Sequence, residues 1–70
     1  MENNLTKLAA RITDLRKKRG LTIEKLAYGN ELSKGRLSEL ERGMGNPTLA
    51  TLSKIAEGLD ISLSELFEFE

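Results

Sequence analysis

Apolar residues along the chain recur at intervals of three and four positions, the spacing that places them on one face of an α-helix. The first such set is Leu5, Leu8, Ala9, Ile12 and Leu15. It predicts a helix over about 5–19 that has Asn3 or Asn4 as its N-cap and ends at Gly20. The basic run at residues 16–19 then lies at the C-terminal end of this helix, where cations suit the helix dipole.

Two short helices joined by a tight turn are predicted in the middle of the chain. Thr22 is a suitable N-cap for the first, over about 23–29, and Ser33 for the second, because a hydroxyl oxygen accepts a hydrogen bond from a free backbone N–H. Gly29 and Asn30 separate the two helices as helix breakers. The apolar positions of this pair are Leu26, Ala27, Leu37 and Leu40.

Two further helices are predicted towards the end of the chain. Pro47 stops the third helix from continuing, so residues 44–47 form a loop and a fourth helix follows. Asp60 closes that helix, and a capping box of Ser62 and Glu65 opens a short last one. The apolar positions of the fourth helix are Leu49, Leu52, Ile55, Ala56 and Leu59. Because the chain has no run of β-branched residues, we expect an all-α fold of five helices.

The third predicted helix has polar residues on its outer face, where a helix entering the major groove of DNA needs them. Lys or Arg pairs with guanine there, Ser with several base edges, and Glu with the cytosine amino group. Gly35 lowers helix stability by about 1 kcal/mol relative to alanine, so a close approach of the backbone to DNA is one reason for its presence. The predicted base-reading residues are Ser33, Lys34, Gly35, Arg36, Ser38 and Glu39.

Phosphate contacts are expected where helices begin, because free N–H groups and the positive dipole end lie there. The predicted set is Thr22, Ile23, Arg42, Asn46 and Thr48. Asn46 and Thr48 serve equally well as turn and cap residues. For the basic run at 16–19 we favour the dipole role over phosphate contact, and for Tyr28 we favour half-buried packing over a phosphate contact through its hydroxyl.

Composition and charge narrow the classes of function. Residues 1–45 carry ten Lys or Arg and six acidic residues, a net +4, whereas residues 46–70 carry one and five, a net −4. A basic half facing phosphate explains this division, as does chance asymmetry on a solvated surface. Cysteine and histidine are absent, which argues against thiol chemistry, the usual zinc sites and enzymatic activity. We expect no cofactor, no metal and, without a long apolar run, no membrane span or signal segment.

The chain resembles the phage Cro and repressor domains, the Xre-like group of bacterial transcriptional regulators. The matching positions of the helix-turn-helix are Leu21, Leu26, Ala27, Leu32, Ser33, Leu37, Ser38, Glu41 and Gly43. Segments 11–22 and 46–67 resemble the first helix and the last two helices of that family. The resemblance implies a single phage-repressor-like DNA-binding domain over 1–70, with a helix-turn-helix at about 22–43 formed by helices 2 and 3.

The resemblance also implies particular contacts. In this family an arginine at the position of Arg16 commonly pairs with a glutamate at the position of Glu41, so a partly buried structural ion pair is expected. Two subunits often pair through the end of the domain, here about 59–70. The tail has more large apolar residues than so small a domain needs, so we expect some of them to bury the core of the monomer and the rest to form the dimer interface. The candidate dimer-interface residues are Leu63, Leu66, Phe67 and Phe69.

The turn between helices 2 and 3 departs from the family pattern. At the position where this family usually has a glycine, this chain has Glu31, and at a later such position it has Asp60. Either Glu31 adopts a positive φ, which costs about 1 kcal/mol of stability, or Gly29 and Asn30 end the helix early and reshape the turn.

The sequence therefore predicts a sequence-specific regulator that binds double-stranded DNA as a homodimer on an inverted-repeat operator, in the cytoplasm of a bacterium or on phage DNA, associated with the nucleoid. We expect no small-molecule ligand, since a chain ending at residue 70 leaves no room for a sensing domain. The sequence does not decide whether the biological role is that of a restriction–modification controller protein, a phage repressor or an antitoxin. The alternative is a protein-interaction domain that keeps the fold without reading DNA, which Glu31, Glu39 and Glu41 around the third helix favour.

Overall fold

The computed structural model describes residues 3–69, which form five α-helices and no strand. The helices are α1 (Asn4–Lys18), α2 (Ile23–Tyr28), α3 (Lys34–Glu41), α4 (Leu49–Gly58) and α5 (Leu63–Leu66). The predicted all-α architecture of five helices is confirmed. Residues 1, 2 and 70 lie outside the described residues, and residue 70 is the last of the predicted dimerisation region 59–70.

Each helix begins at a side chain that accepts a hydrogen bond from a backbone N–H in its first turn. The five caps are Asn3, Thr22, Ser33, Thr48 and Ser62, each with an extended backbone. Such caps satisfy N–H groups that lack an intrahelical partner. The choice between Asn3 and Asn4 is resolved in favour of Asn3, whose Oδ1 accepts from Thr6 N at 2.8 Å. The capping box of Ser62 and Glu65 is confirmed.

Helices α1 to α4 end in one shared motif, in which a backbone N–H reaches back five residues to a carbonyl of the last turn. Each of these ends has one residue in the left-handed conformation, with φ between 56° and 77°. This residue is a glycine at two of the ends, Gly20 and Gly43, and an acidic residue at the other two, Glu31 and Asp60. The closing bonds run from Leu21 N to Arg16 O, Leu32 N to Ala27 O, Met44 N to Glu39 O and Ile61 N to Ala56 O. The chain therefore stops and turns four times by the same hydrogen-bond geometry.

The turn between α2 and α3 keeps this geometry although the glycine is displaced. Glu31 adopts φ 56°, while Gly29 stays in the right-handed region, so of the two alternatives the strained glutamate is the one found. Asn30 Nδ2 donates to Leu26 O at 2.8 Å, which satisfies a carbonyl at the end of α2. A Cβ at Gly58 would lie 2.5 Å from Asn30 Nδ2 and from Leu26 Cδ1. The asparagine thus fits here because residue 58 of α4 has no side chain.

The core consists of aliphatic side chains contributed by all five helices. Its largest fully buried members are Ile12, Leu26, Ile55, Leu59 and Leu66. Helix α1 packs against α3 and α5, and α2 packs against α3 and α4, so α3 is held from two sides. Leucine, isoleucine and alanine fill this interior, and burying them supplies most of the stability of so small a domain.

Two sequence-based expectations fail in this core. Leu66, predicted at a dimer interface, is 0% exposed because the short helix α5 turns it inwards; it belongs to the core of the monomer. Tyr28, predicted to be half-buried, is 92% exposed. It lies two positions after Leu26, which at 100° per residue puts it on the opposite side of α2.

An ion pair between Arg16 and Glu41 joins α1 to the end of α3, as the sequence analysis predicts. Arg16 Nε donates to Glu41 Oε2 at 2.7 Å and Nη2 to Oε1 at 2.9 Å. The Thr13 hydroxyl donates to the same carboxylate at 3.0 Å, and Arg16 Nη1 donates to Leu21 O at 2.7 Å. The side chains are only 12% and 6% exposed. This network also connects the α1–α2 turn to α3.

The hydrogen bond to Glu41 raises the pKa of the Arg16 guanidinium above its usual value, against the opposing effect of burial. A group whose pKa is higher in the folded state stabilises that state below its unfolded pKa and loses this contribution only as the pH rises through the folded pKa. For an arginine both values lie far above neutrality. The arginine therefore stays charged, and the contribution of its protonation persists, at physiological pH.

We expect Arg16→Met to lower the free energy of unfolding by about 3–5 kcal/mol, because it leaves the Glu41 carboxylate buried with Thr13 alone. The double variant Arg16→Met/Glu41→Leu should recover most of that loss, since no buried charge remains. Urea unfolding monitored by circular dichroism measures both. Lys18→Met is the control: its partner Asp14 is exposed, and the change should cost less than about 1 kcal/mol. A double variant as unstable as Arg16→Met would contradict this account.

Glu31→Gly should raise the free energy of unfolding by about 1 kcal/mol, because glycine adopts positive φ without steric strain. The urea midpoint should rise with an unchanged m-value. Glu31→Gln keeps the Cβ and removes only the charge, so it should leave stability close to that of the unmodified chain. A stabilisation by glutamine equal to that by glycine would show that charge, not backbone strain, is the cause.

Candidate nucleic-acid interface

The outer face of α3 carries the predicted base-reading residues. Five of the six, namely Ser33, Lys34, Gly35, Arg36 and Glu39, are exposed, and Ser38 is partly buried. Leu37 and Leu40 point into the core, at 3% exposure each, and fix which face is turned outwards. The Ser33 Oγ accepts from Arg36 N at 3.3 Å as the N-cap. The hydroxyl proton remains free to donate to an acceptor outside the chain.

Gly35 has no structural requirement within the chain itself. A Cβ there would meet only the Ser33 Oγ, at 3.7 Å, which is an ordinary contact. Its φ lies outside the left-handed region, so the backbone does not require glycine either. The first turn of α3 therefore offers a smooth surface over which another molecule can approach the backbone.

Lys34 is paired across the helix-turn-helix. Its Nζ lies 3.1 Å from Glu24 Oε1 in the first turn of α2. Both side chains remain largely exposed, at 63% and 72%, so the pair contributes at most about 1 kcal/mol to stability. The contact shows that the beginnings of α2 and α3 lie side by side.

A groove runs between α3 and the start of α4. Arg36, Glu39, Asn46 and Thr48 are among the residues that line it. Thr48 Oγ1 accepts from Thr51 N at 3.1 Å as the N-cap of α4. The geometry therefore brings predicted base-reading and phosphate-binding residues together along one side of α3.

A second groove, which shares Arg36 with the first, contains a cation that sequence reasoning missed. Lys54 lines this groove together with Ser33 and Arg36. It is the single Lys or Arg of residues 46–70, and it lies four positions, about one helical turn, after Ala50, which lines the groove too. This isolation and spacing are the signal that the sequence offered for it.

The remaining predicted phosphate-binding residues lie at helix ends. Thr22 is exposed and accepts from Lys25 N at 3.0 Å, while Ile23 packs its side chain against the core and begins α2 with its backbone. Arg42 is exposed at the C-cap of α3. No contact in the described residues brings Arg42 into the groove that holds Arg36.

The predicted dimer-interface residues are divided by the fold. Leu63 and Phe69 are partly buried and pack against the core, as well as contributing apolar surface. Phe67 is 43% exposed, and its ring centroid lies 6.2 Å from that of Phe69. Together with Leu66 in the core, this leaves Phe67 as the aromatic side chain most available at this end of the molecule.

Some features are lacking across residues 3–69. No helix there is long and apolar enough to cross a membrane. Within the same range, no three acidic, histidine or cysteine side chains come together as a group that could hold a metal ion.

Comparison with known proteins identifies the family. Residues 12–66 match the family model described as helix-turn-helix (HTH_3). The chain is 41% identical over 64 residues to the HTH-type transcriptional regulator SutR of Escherichia coli K12, an alignment that covers 91% of this chain and 36% of SutR. It is 40% identical over 65 residues to control protein C.MunI of a Mycoplasma species, covering 93% and 80%. The chain thus spans about a third of the length of SutR and most of C.MunI.

A solved structure agrees with this assignment. The restriction-modification controller protein C.AhdI from Aeromonas hydrophila has a TM-score of 0.85 and 37% identity, covering 89% of this chain and 94% of that one. The resemblance to Xre-like regulators is confirmed by these matches, which take in all five helices at least in part. The chain belongs to the helix-turn-helix (HTH_3) family, and the relatives that it matches include proteins named as transcriptional regulators and controller proteins.

Proposed function

We propose that the chain is a sequence-specific DNA-binding domain that regulates transcription as a homodimer. The observation that carries this proposal is the outward face of α3, where exposed Lys34 and Arg36 stand on a helix anchored by Leu37, Leu40 and the Arg16–Glu41 pair. Family membership and relatives named transcriptional regulators support it. The setting we propose is the cytoplasm of a bacterium, at the nucleoid or on phage DNA.

The mechanism follows from helix and groove dimensions. α3 enters the major groove with its first turn leading, and Lys34 or Arg36 donates to guanine O6 and N7, each good contact being worth about 1–3 kcal/mol of discrimination. Glu39 accepts from a cytosine amino group, and Ser33 and Ser38 contact other edges or nearby phosphates. Gly35 lets the backbone come close.

Phosphate contacts from two places hold α3 in register. One is the groove lined by Arg36, Asn46 and Thr48. The other is the start of α2, where the Thr22 hydroxyl and the Ile23 amide directly precede Glu24, which contacts Lys34. We add Lys54 to the predicted set and keep Arg42 at the end of α3. Such contacts position the protein without specifying sequence.

A twofold dimer would place two α3 helices in successive major grooves about 34 Å apart, so the operator would be an inverted repeat. Phe67, with the partly exposed Phe69 and Leu63, is the apolar surface we assign to the subunit contact. The role that we favour is a controller of restriction–modification, because two of the relatives are named as controller proteins.

Selection of bound duplexes from a random-sequence pool at two salt concentrations tests the proposal. An inverted repeat with half-sites about one helical turn apart is the expected result, retained at the higher salt because base contacts survive screening better than phosphate contacts do. Absence of any motif at both concentrations would favour the alternative, a protein-interaction domain that kept the fold.

Lys34→Ala/Arg36→Ala should abolish sequence selectivity while leaving the thermal midpoint nearly unchanged, because both side chains are exposed and outside the core. Competition between selected and scrambled duplexes measures the first, and thermal unfolding the second. Lys17→Ala/Arg19→Ala removes the same charge at the end of α1 and should keep selectivity. If the α3 variant still discriminates, the base-reading surface lies elsewhere.

Phe67→Ala should weaken dimerisation and DNA affinity together, because both half-sites are needed for full affinity. Sedimentation equilibrium and duplex titration measure the two quantities. Tyr28→Ala is the matched control, since it removes another exposed aromatic ring from a different helix. Leu66→Ala is unsuitable as a test of the interface because it would open a cavity in the monomer core. An unchanged dimer in Phe67→Ala would assign the contact to another surface.

A further inference from the structure

The Lys34–Glu24 ion pair places an acidic group beside a side chain that the proposed function assigns to base reading. Glu24 is the second residue of α2, and Lys34 is the first residue of α3. Their charged atoms lie 3.1 Å apart, and both side chains are more than 60% exposed. Any nucleic acid that approaches Lys34 therefore meets the Glu24 carboxylate too.

A phosphate and a base edge respond differently to that carboxylate. A phosphate is an anion, so it competes with Glu24 for the lysine and is repelled by Glu24 at close range. Guanine N7 and O6 are uncharged acceptors. Because the Lys34 ammonium has three N–H donors, one of them can bond to guanine while another stays with Glu24.

We propose that Glu24 is a specificity-determining residue, which directs Lys34 towards base edges and away from phosphates. It lowers affinity for the DNA backbone more than affinity for an operator, and so widens the ratio between the two. The inference rests on the proposed function and extends it, because Glu24 acts on DNA binding by positioning the Lys34 side chain.

The overall charge is consistent with this assignment. Non-specific binding to DNA comes almost entirely from cations that neutralise phosphates and release counterions. The chain has as many acidic as basic residues, eleven of each, so a single cation made available or withheld at the interface is a sizeable fraction of its attraction for the backbone. An acidic side chain that occupies Lys34 acts on that fraction directly.

The test compares Glu24→Gln with the unmodified protein on two duplexes, a random-sequence one and the operator recovered by selection. We expect affinity for the random duplex to rise by up to about fivefold, the size of an exposed ion pair. The slope of log affinity against log salt should steepen by about 0.9, because Lys34 becomes free to neutralise one phosphate. Affinity for the operator should change less, so the ratio between the duplexes should fall.

Asp14→Asn is the matched control. Asp14 pairs with Lys18 on α1, also at 3.1 Å and also with both side chains more than half exposed. It removes the same charge from a pair of the same length, so it should alter binding to both duplexes equally and leave their ratio unchanged. In a Lys34→Ala background, Glu24→Gln should no longer steepen the salt slope, since its effect passes through the lysine.

Two outcomes separate failure of this inference from failure of the proposed function. If the unmodified protein selects an operator but Glu24→Gln behaves like Asp14→Asn, or loses affinity for the operator alone, Glu24 does not set specificity in this way. If the unmodified protein binds no duplex at any salt concentration, the proposed function and this inference are both overturned.

Discussion

The buried ion pair of Arg16 and Glu41 is the interaction on which the presentation of α3 depends. The two side chains take part in four hydrogen bonds. Arg16 donates two and Thr13 donates one to the Glu41 carboxylate, and Arg16 donates a further one to the Leu21 carbonyl. They connect the first helix, the first turn and the last residue of α3. The leucines of α3 determine which face is outward, but apolar contacts are non-directional. The bidentate pair adds the angular constraint that a helix entering a groove needs.

The same part of the fold carries strain that the chain tolerates. Glu31 adopts a left-handed conformation in the turn that leads into α3, where glycine would be unstrained. The closing bond from Leu32 N to Ala27 O and the Asn30 side chain on Leu26 O hold the turn in place, and Gly58 leaves space for that side chain. The geometry of the turn is thus maintained by contacts with α2 and α4 and not by the local preference of residue 31.

Sequence reasoning predicts the fold well because the periodicity of the apolar residues and the five capping side chains point to the same boundaries. It predicts the ion pair through a family resemblance, since no spacing rule pairs residue 16 with residue 41. It fails for Leu66 because the few apolar positions of a four-residue helix do not fix which side faces the core. It fails for Tyr28 because the expected packing does not take account of its spacing from Leu26, which places it on the opposite side of α2. Lys54 and Glu24 were missed for another reason: their relevance arises only when separate helices meet, at the groove and at the paired helix beginnings.

A chain of zero net charge has little overall electrostatic attraction to the DNA backbone, whereas a strongly basic domain has a large one. Distant charges are screened within about 8–10 Å at physiological salt, so the local arrangement matters more than the sum. Here the cations Lys34, Arg36 and Lys54 lie at or next to α3, and the acidic Glu24 and Glu39 lie beside them. With so few cations at the contact surface, general attraction to the backbone is weak. Under the proposed function, discrimination by base contacts then makes up a larger share of the binding free energy than it does in a strongly basic protein.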